Sequence, residues 1–184
     1  LLGICLFVFI IMHILYPPGG YGTFLQLPTQ MNTWALDIHT FINNKAKFYT
    51  LLTALFIHYS YIQLIFTLIF GIFIMYELEY CWRMGIIASL VAGFAANCLA
   101  VVLTSGIVMG FTEVICASIG VMLAALILHC SYLKATYPGQ LYMVFMMIII
   151  LLFFNIGMGS SGLTNLFGVL FGLLFGLALY PTMR

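Results

Sequence analysis

The sequence predicts an all-α membrane protein, a single domain built as a bundle of six transmembrane helices. Three observations carry this. Of 184 residues, 65% are hydrophobic and only 5% are charged, whereas soluble domains carry about 25% charged residues. Mean hydropathy is +1.24. The apolar residues also fall into six runs near the roughly 20 residues that a spanning helix needs, with proline, glycine and charge between them. A net charge of +1 offers no basis for a nucleic-acid partner. The five cysteines (Cys5, Cys81, Cys98, Cys116 and Cys130) form no CxxC pair. Neither a disulfide framework, a zinc site nor any cofactor is expected.

The chain begins without methionine and inside an apolar run, which reads as a piece of a longer protein. The first span covers about 1–16. Pro17-Pro18-Gly19-Gly20 ends it, because proline cannot continue a helix and glycine favours turns. The connection from about 17 to 49 holds Asp37, Lys45 and Lys47, but also Phe24, Leu25, Trp34 and Phe41. A connection this apolar is expected to lie in the membrane interface. The second span, about 50–76, carries His58, Gln63 and Thr67, and the last two share a helical face. Glu77, Glu79 and Arg83 read as a solvated connector with an ion pair. The third span, about 84–103, places Gly93 and Asn97 four residues apart. The fourth covers about 118–132, and Lys134, Pro138 and Gly139 follow it. The fifth covers about 141–156. A glycine- and serine-rich turn, 157–162, precedes the sixth, about 163–180. Lys and Arg number three on the side of Arg83, Lys134 and Arg184 against two on the other. This favours the first of those sides as cytosolic or matrix.

Ser118 stands just inside the fourth apolar run, and a polar residue at the mouth of a membrane helix is a functional hypothesis by default. A serine hydroxyl is a weak nucleophile until a base takes its proton. The partner is sought in the last run, at Asn165, whose amide has no useful basicity. The plainer reading is that Ser118 bonds to backbone or to a neighbouring helix, as small polar residues do in membranes. His129 is eleven residues further along the same helix, about 16 Å away along the axis, and is excluded as a base. His58 lies toward the same end as Ser118; it either assists that serine or pins the long connection by hydrogen bonds. His13 and His39 show no partner in the sequence. Gly168, Gly172 and Gly176 repeat every four residues and let a neighbouring backbone come close. Gly120 and Ala124, with Ser118, offer the matching small face on the fourth span. There is neither an acidic run across the bilayer centre nor an internal repeat, which argues against a transporter or channel.

These residues resemble, in order and over nearly the whole chain, the rhomboid family of intramembrane serine proteases. Residues 51–58, ending in His58, resemble the approach to the family's second helix. Gly71, Leu78-Glu79 and Arg83 resemble its end, and Gly93 with Ala96-Asn97 resembles the third helix. Cys116-Ala117-Ser118-Ile119 aligns with the glycine-x-serine-glycine nucleophile motif. Asn165-Leu166-Phe167-Gly168, with Gly172, aligns with the sixth-helix motif, where a catalytic histidine precedes two glycines. The departures concern the chemistry. The histidine is Asn165, the motif glycines are Cys116 and Ile119, and the oxyanion-side histidine and asparagine are Gln63 and Thr67. Ile119 also narrows the place where the family keeps close backbone approach. The resemblance therefore implies a pseudoprotease: no catalytic residue, Ser118 and Asn165 as vestiges, and His58, Gln63, Thr67, Cys116 and Ile119 as remnants around them. It further implies a non-enzymatic protein that binds transmembrane segments of clients, or is a subunit of a membrane complex, in trafficking, quality control or protein import. Its partners would be integral membrane proteins and lipid. Its location would be an intracellular membrane, either the mitochondrial inner membrane or the endoplasmic reticulum and secretory pathway. The alternative is an active serine protease using Ser118 with a non-standard base.

Overall fold

In the computed structural model, helices assemble around one central member. The residues described are 1–15, 34–43, 47–58, 60–81, 84–105, 107–136, 146, 149–150 and 162–179, without the side chains of 80–81 and 129–136. In chain order the elements are α1 (Leu2–Leu15), a short strand β1 (Leu36–Asp37), α2 (Ile38–Asn43) and α3 (Thr50–Thr53), which tightens into a 3-10 turn (Ala54–Phe56). Then come α4 (Tyr61–Cys81), α5 (Gly85–Leu103), strand β2 (Ile107–Val108), α6 (Thr112–Thr136) and α7 (Gly162–Ala178). Helix α6 is the central one: every residue from Phe111 to Met122 is buried, and it touches α4, α5 and α7.

The distribution of side chains is that of a protein solvated by lipid. On α7 the outward positions are Leu163, Leu166, Leu170, Leu174 and Leu177, all exposed, while Thr164, Asn165, Gly168, Gly172 and Gly176 are buried. Helix α5 repeats the pattern, burying Ala88, Ala92, Gly93, Ala96 and Ala100 and turning Ile87, Val91 and Val102 outward. Large apolar groups outside and small or polar ones inside suit a solvent as apolar as leucine, where helices associate by close packing. Residues Tyr61–Glu79 of α4 and all of α5 are each 19 residues long, with mean hydropathy 1.9 and 2.4, enough to cross a membrane.

The second span begins later than expected. The backbone at Ile57 is extended (φ −95°, ψ 131°), which ends the 3-10 turn and separates it from α4, so His58 lies ahead of the spanning helix. At its far end α4 runs on through Cys81, which makes Glu77 and Glu79 part of its last turns instead of a connector. No glycine or proline stands between Gly71 and Gly85 to end the helix at Tyr76. The fourth span begins six residues earlier than expected, at Thr112, because the Glu113 carboxyl finds partners inside the bundle. The first connection is not all irregular. β1 pairs antiparallel with β2, Leu36 opposite Val108 and Asp37 opposite Ile107. Asp37 starts α2, accepting from the Thr40 hydroxyl and the His39 N–H. The Thr40 bond holds the Asp37 carboxyl below its ordinary range, so the cap stays charged at neutral pH. The expected fifth span and the turn before α7 lie outside the described residues, except that Met146, Ile149 and Ile150 are helical and Gly162 begins α7. Residues 16–33 and 44–46 of the first connection also lie outside them.

Helices α6 and α7 touch backbone to backbone. A Cβ added at Gly172 would strike the Ala117 carbonyl, and one at Gly120 the Val169 carbonyl. At Gly168 it would come to 2.6 Å from the Glu113 carbonyl oxygen, and at Gly176 to 2.6 Å from Ala124 Cβ. Gly172→Val is therefore expected to destabilise the protein by about 1–3 kcal/mol or more. Leu174→Val, on the lipid face of the same helix, should leave it nearly unchanged. Thermal unfolding of both variants in detergent checks this.

Candidate functional site

A group of buried polar side chains gathers where the α5–α6 connection turns into α6. Gly110 makes that turn with φ 120°, a conformation that glycine adopts without strain. Its N–H donates to Ala54 O at 2.8 Å, which ties the turn to the segment ahead of α4. A Cβ at Gly110 would also meet Gln63 Nε2, with Thr112 Oγ1 at 3.6 Å. Gln63, on α4, donates from Nε2 to Met109 O at 3.1 Å, and its own N–H bonds Ser60 Oγ at 3.1 Å. The Thr112 hydroxyl donates to Glu113 Oε2 at 3.2 Å. The Thr164 hydroxyl of α7 donates to Glu113 Oε1 at 3.3 Å. Gln63, Thr112, Glu113, Thr164 and Asn165 are all buried.

Ser118 lies elsewhere. Helices α6 and α7 run parallel, with Thr164 level with Glu113, Gly168 with Cys116 and Gly176 with Ala124. Asn165 is thus level with the start of α6. Ser118 is five residues beyond Glu113, about 7–8 Å further along the axis. It is buried, and its hydroxyl donates to Val114 O of its own helix at 2.9 Å. The structure does not bring Ser118 to Asn165. His58 is buried ahead of α4, with Nδ1 3.2 Å from Phe56 O and Nε2 without a hydrogen-bond partner among the described residues. Thr67 lies one turn beyond Gln63 on the same face of α4, also buried and with its hydroxyl unpartnered among the described residues. Cys116 and Ile119 are buried in the α6 core, and Gly120, Ala124, Gly168, Gly172 and Gly176 form the α6–α7 contact.

Gly110, at positive φ, stands two residues ahead of the Thr112 hydroxyl, at the end of α6 that lies level with Asn165. Sequence reasoning passed over Thr112 and Glu113 as site residues because it looked for a serine. The usable signal was Gly110, two residues before a hydroxyl and just ahead of a long helix.

Glu113 connects the two helices through its carboxyl, and this coupling is measurable. Membrane side-chain hydrogen bonds average about 0.6 kcal/mol and reach about 1.7 kcal/mol in double-mutant cycles. A cycle of Glu113→Gln and Thr164→Val, read by unfolding free energy, should give a coupling in that range. A coupling of zero would mean that the contact contributes nothing.

Two comparisons with known proteins, one with curated proteins and one with solved structures, found no match. A family model described as Rhomboid domain does match, over residues 45–182, which takes in everything from Lys47 through α7. This chain is an integral membrane protein of helical fold that belongs to the rhomboid family.

Proposed function

We propose that this chain is a non-catalytic rhomboid protein that binds transmembrane segments of client or partner proteins, as a subunit of a complex in an intracellular membrane. One observation carries the reading: the hydroxyl at the start of α6 is tied to a carboxyl that also binds α7. Thr112 donates to Glu113, Glu113 accepts from Thr164, and Asn165 stands where a base would be needed. An asparagine amide does not take a proton near neutral pH. General-base assistance contributes typically 10²–10⁴-fold, and a lost oxyanion donor costs about 10²–10³-fold. Gln63, near the turn, spends an Nε2 donor on Met109 O.

A working protease through Ser118 and His58 is the competing reading. Ser118 gives its hydroxyl to its own helix and His58 Nε2 has no partner among the described residues, so no hydrogen bond joins the two. With catalysis gone, what remains useful in the fold is its surface toward other membrane helices, and the client reading rests on that together with the family.

The test is cleavage of a fluorogenic transmembrane substrate by the purified protein, with fluorophosphonate labelling read by mass spectrometry. The expected result is no turnover and no label on Thr112 or Ser118, with Ser118→Ala retaining biological function. Asn165→His alone should not create a protease, because Glu113 still engages Thr112. Turnover that disappears in Thr112→Val or Ser118→Ala would overturn the reading and identify the nucleophile. Crosslinking from lipid-facing positions of α5 and α7 should trap membrane-protein partners, and their absence would remove the client part of the proposal.

A further inference from the structure

A cavity of about 270 Å³ lies under α1, away from the Thr112–Glu113 site. Val8, Met12 and Leu15 of α1 form one wall, and Trp34, Phe56 and Ile57 form the other. No polar atom opens into it. Thr53, which also lines it, donates its hydroxyl to Trp34 O at 2.8 Å, leaving its methyl for the cavity. Trp34 packs edge-on against Tyr49, with ring centroids 5.8 Å apart. Such amphipathic rings mark the headgroup level of a membrane protein.

We propose that this cavity binds one acyl chain of a bilayer lipid. Two features select that occupant. The cavity is continuous with the lipid-facing side of α1: Ile11 and Leu15 line it and are themselves 37% and 62% exposed, beside Ile14 at 73%. Its lining is apolar throughout and offers no hydrogen-bonding group to a polar occupant. A flexible hydrocarbon chain needs no polar partner and fits the lining. The site also bears on the interior. Phe56 forms part of its wall and packs on Phe111, centroids 6.0 Å apart, directly before Thr112. A chain in the cavity would therefore help to seat the turn that begins α6. This inference is independent of whether the protein is catalytic.

Trp34 is a built-in reporter. The protein has two tryptophans, so Trp82→Phe leaves Trp34 alone. The full chain carrying that change would be reconstituted into phosphatidylcholine vesicles with increasing fractions of phosphatidylcholine brominated on its acyl chains. A resident chain gives a saturable component of Trp34 quenching at low bromolipid fraction, above the part that rises in proportion to it. Val8→Phe fills the cavity from α1 and should reduce the saturable component at least twofold, with helical content unchanged by circular dichroism. If Val8→Phe disturbs the helices, Leu15→Phe at the mouth serves in its place. Quenching that only follows the bromolipid fraction, and is the same with and without the filling substitution, would overturn the proposal. So would displacement of the saturable component by an equimolar single-span peptide, which would make the occupant a protein helix.

Discussion

The close approach of α6 and α7 is the constraint on which the rest of the bundle depends. In lipid the hydrophobic effect does not draw helices together, so association rests on dispersion contacts and interhelical hydrogen bonds, both of which require short distances. Four glycines supply them, three on α7 and Gly120 on α6. With the Gly168 backbone lying on the Glu113 carbonyl, the Thr164 hydroxyl one turn away can reach the Glu113 carboxyl. A bulkier residue at Gly168 would separate the two by more than a hydrogen bond spans. Packing and site are thus one arrangement.

The second organising feature is how the protein satisfies polar groups in an apolar solvent. An unpartnered polar group in hydrocarbon costs several kcal/mol. Ser89, Thr104 and Ser118 return their hydroxyls to the carbonyl four residues back on their own helix. Asn97 reaches across from α5 to Leu51 O at 3.0 Å, and Gly110 N–H takes Ala54 O. The segment 47–58 is therefore sewn to the helices behind it at two points, while β1 is sewn to β2. At the N-terminal end of the chain, Phe9, His13 and Tyr61 form an aromatic group that fastens α1 to α4, with His13 hydrogen-bonded to the Tyr61 hydroxyl. His58 Nε2, Thr67 Oγ1 and Asn97 Oδ1 remain buried without partners among the described residues.

What the sequence by itself determined was the membrane class, the family and the α6–α7 contact. These follow from quantities a chain carries locally: apolar run length, glycines at four-residue spacing, and the order of motifs. It also singled out Asn165, Gln63 and Thr67, each at a set offset within one helix, and the structure buries all three. What it could not decide was register between helices. Ser118 and Thr112 are both hydroxyls near the start of one apolar run, and no local signal ranks them. Only the depth at which Gly168 and Gly172 meet α6 places Thr112, and not Ser118, level with Asn165. The same holds for Glu113. Hydropathy counted it as a boundary residue and started the helix after it. The tertiary structure buries it because Thr112 and Thr164 converge on its two oxygens, and that convergence depends on partners 51 residues apart in the chain.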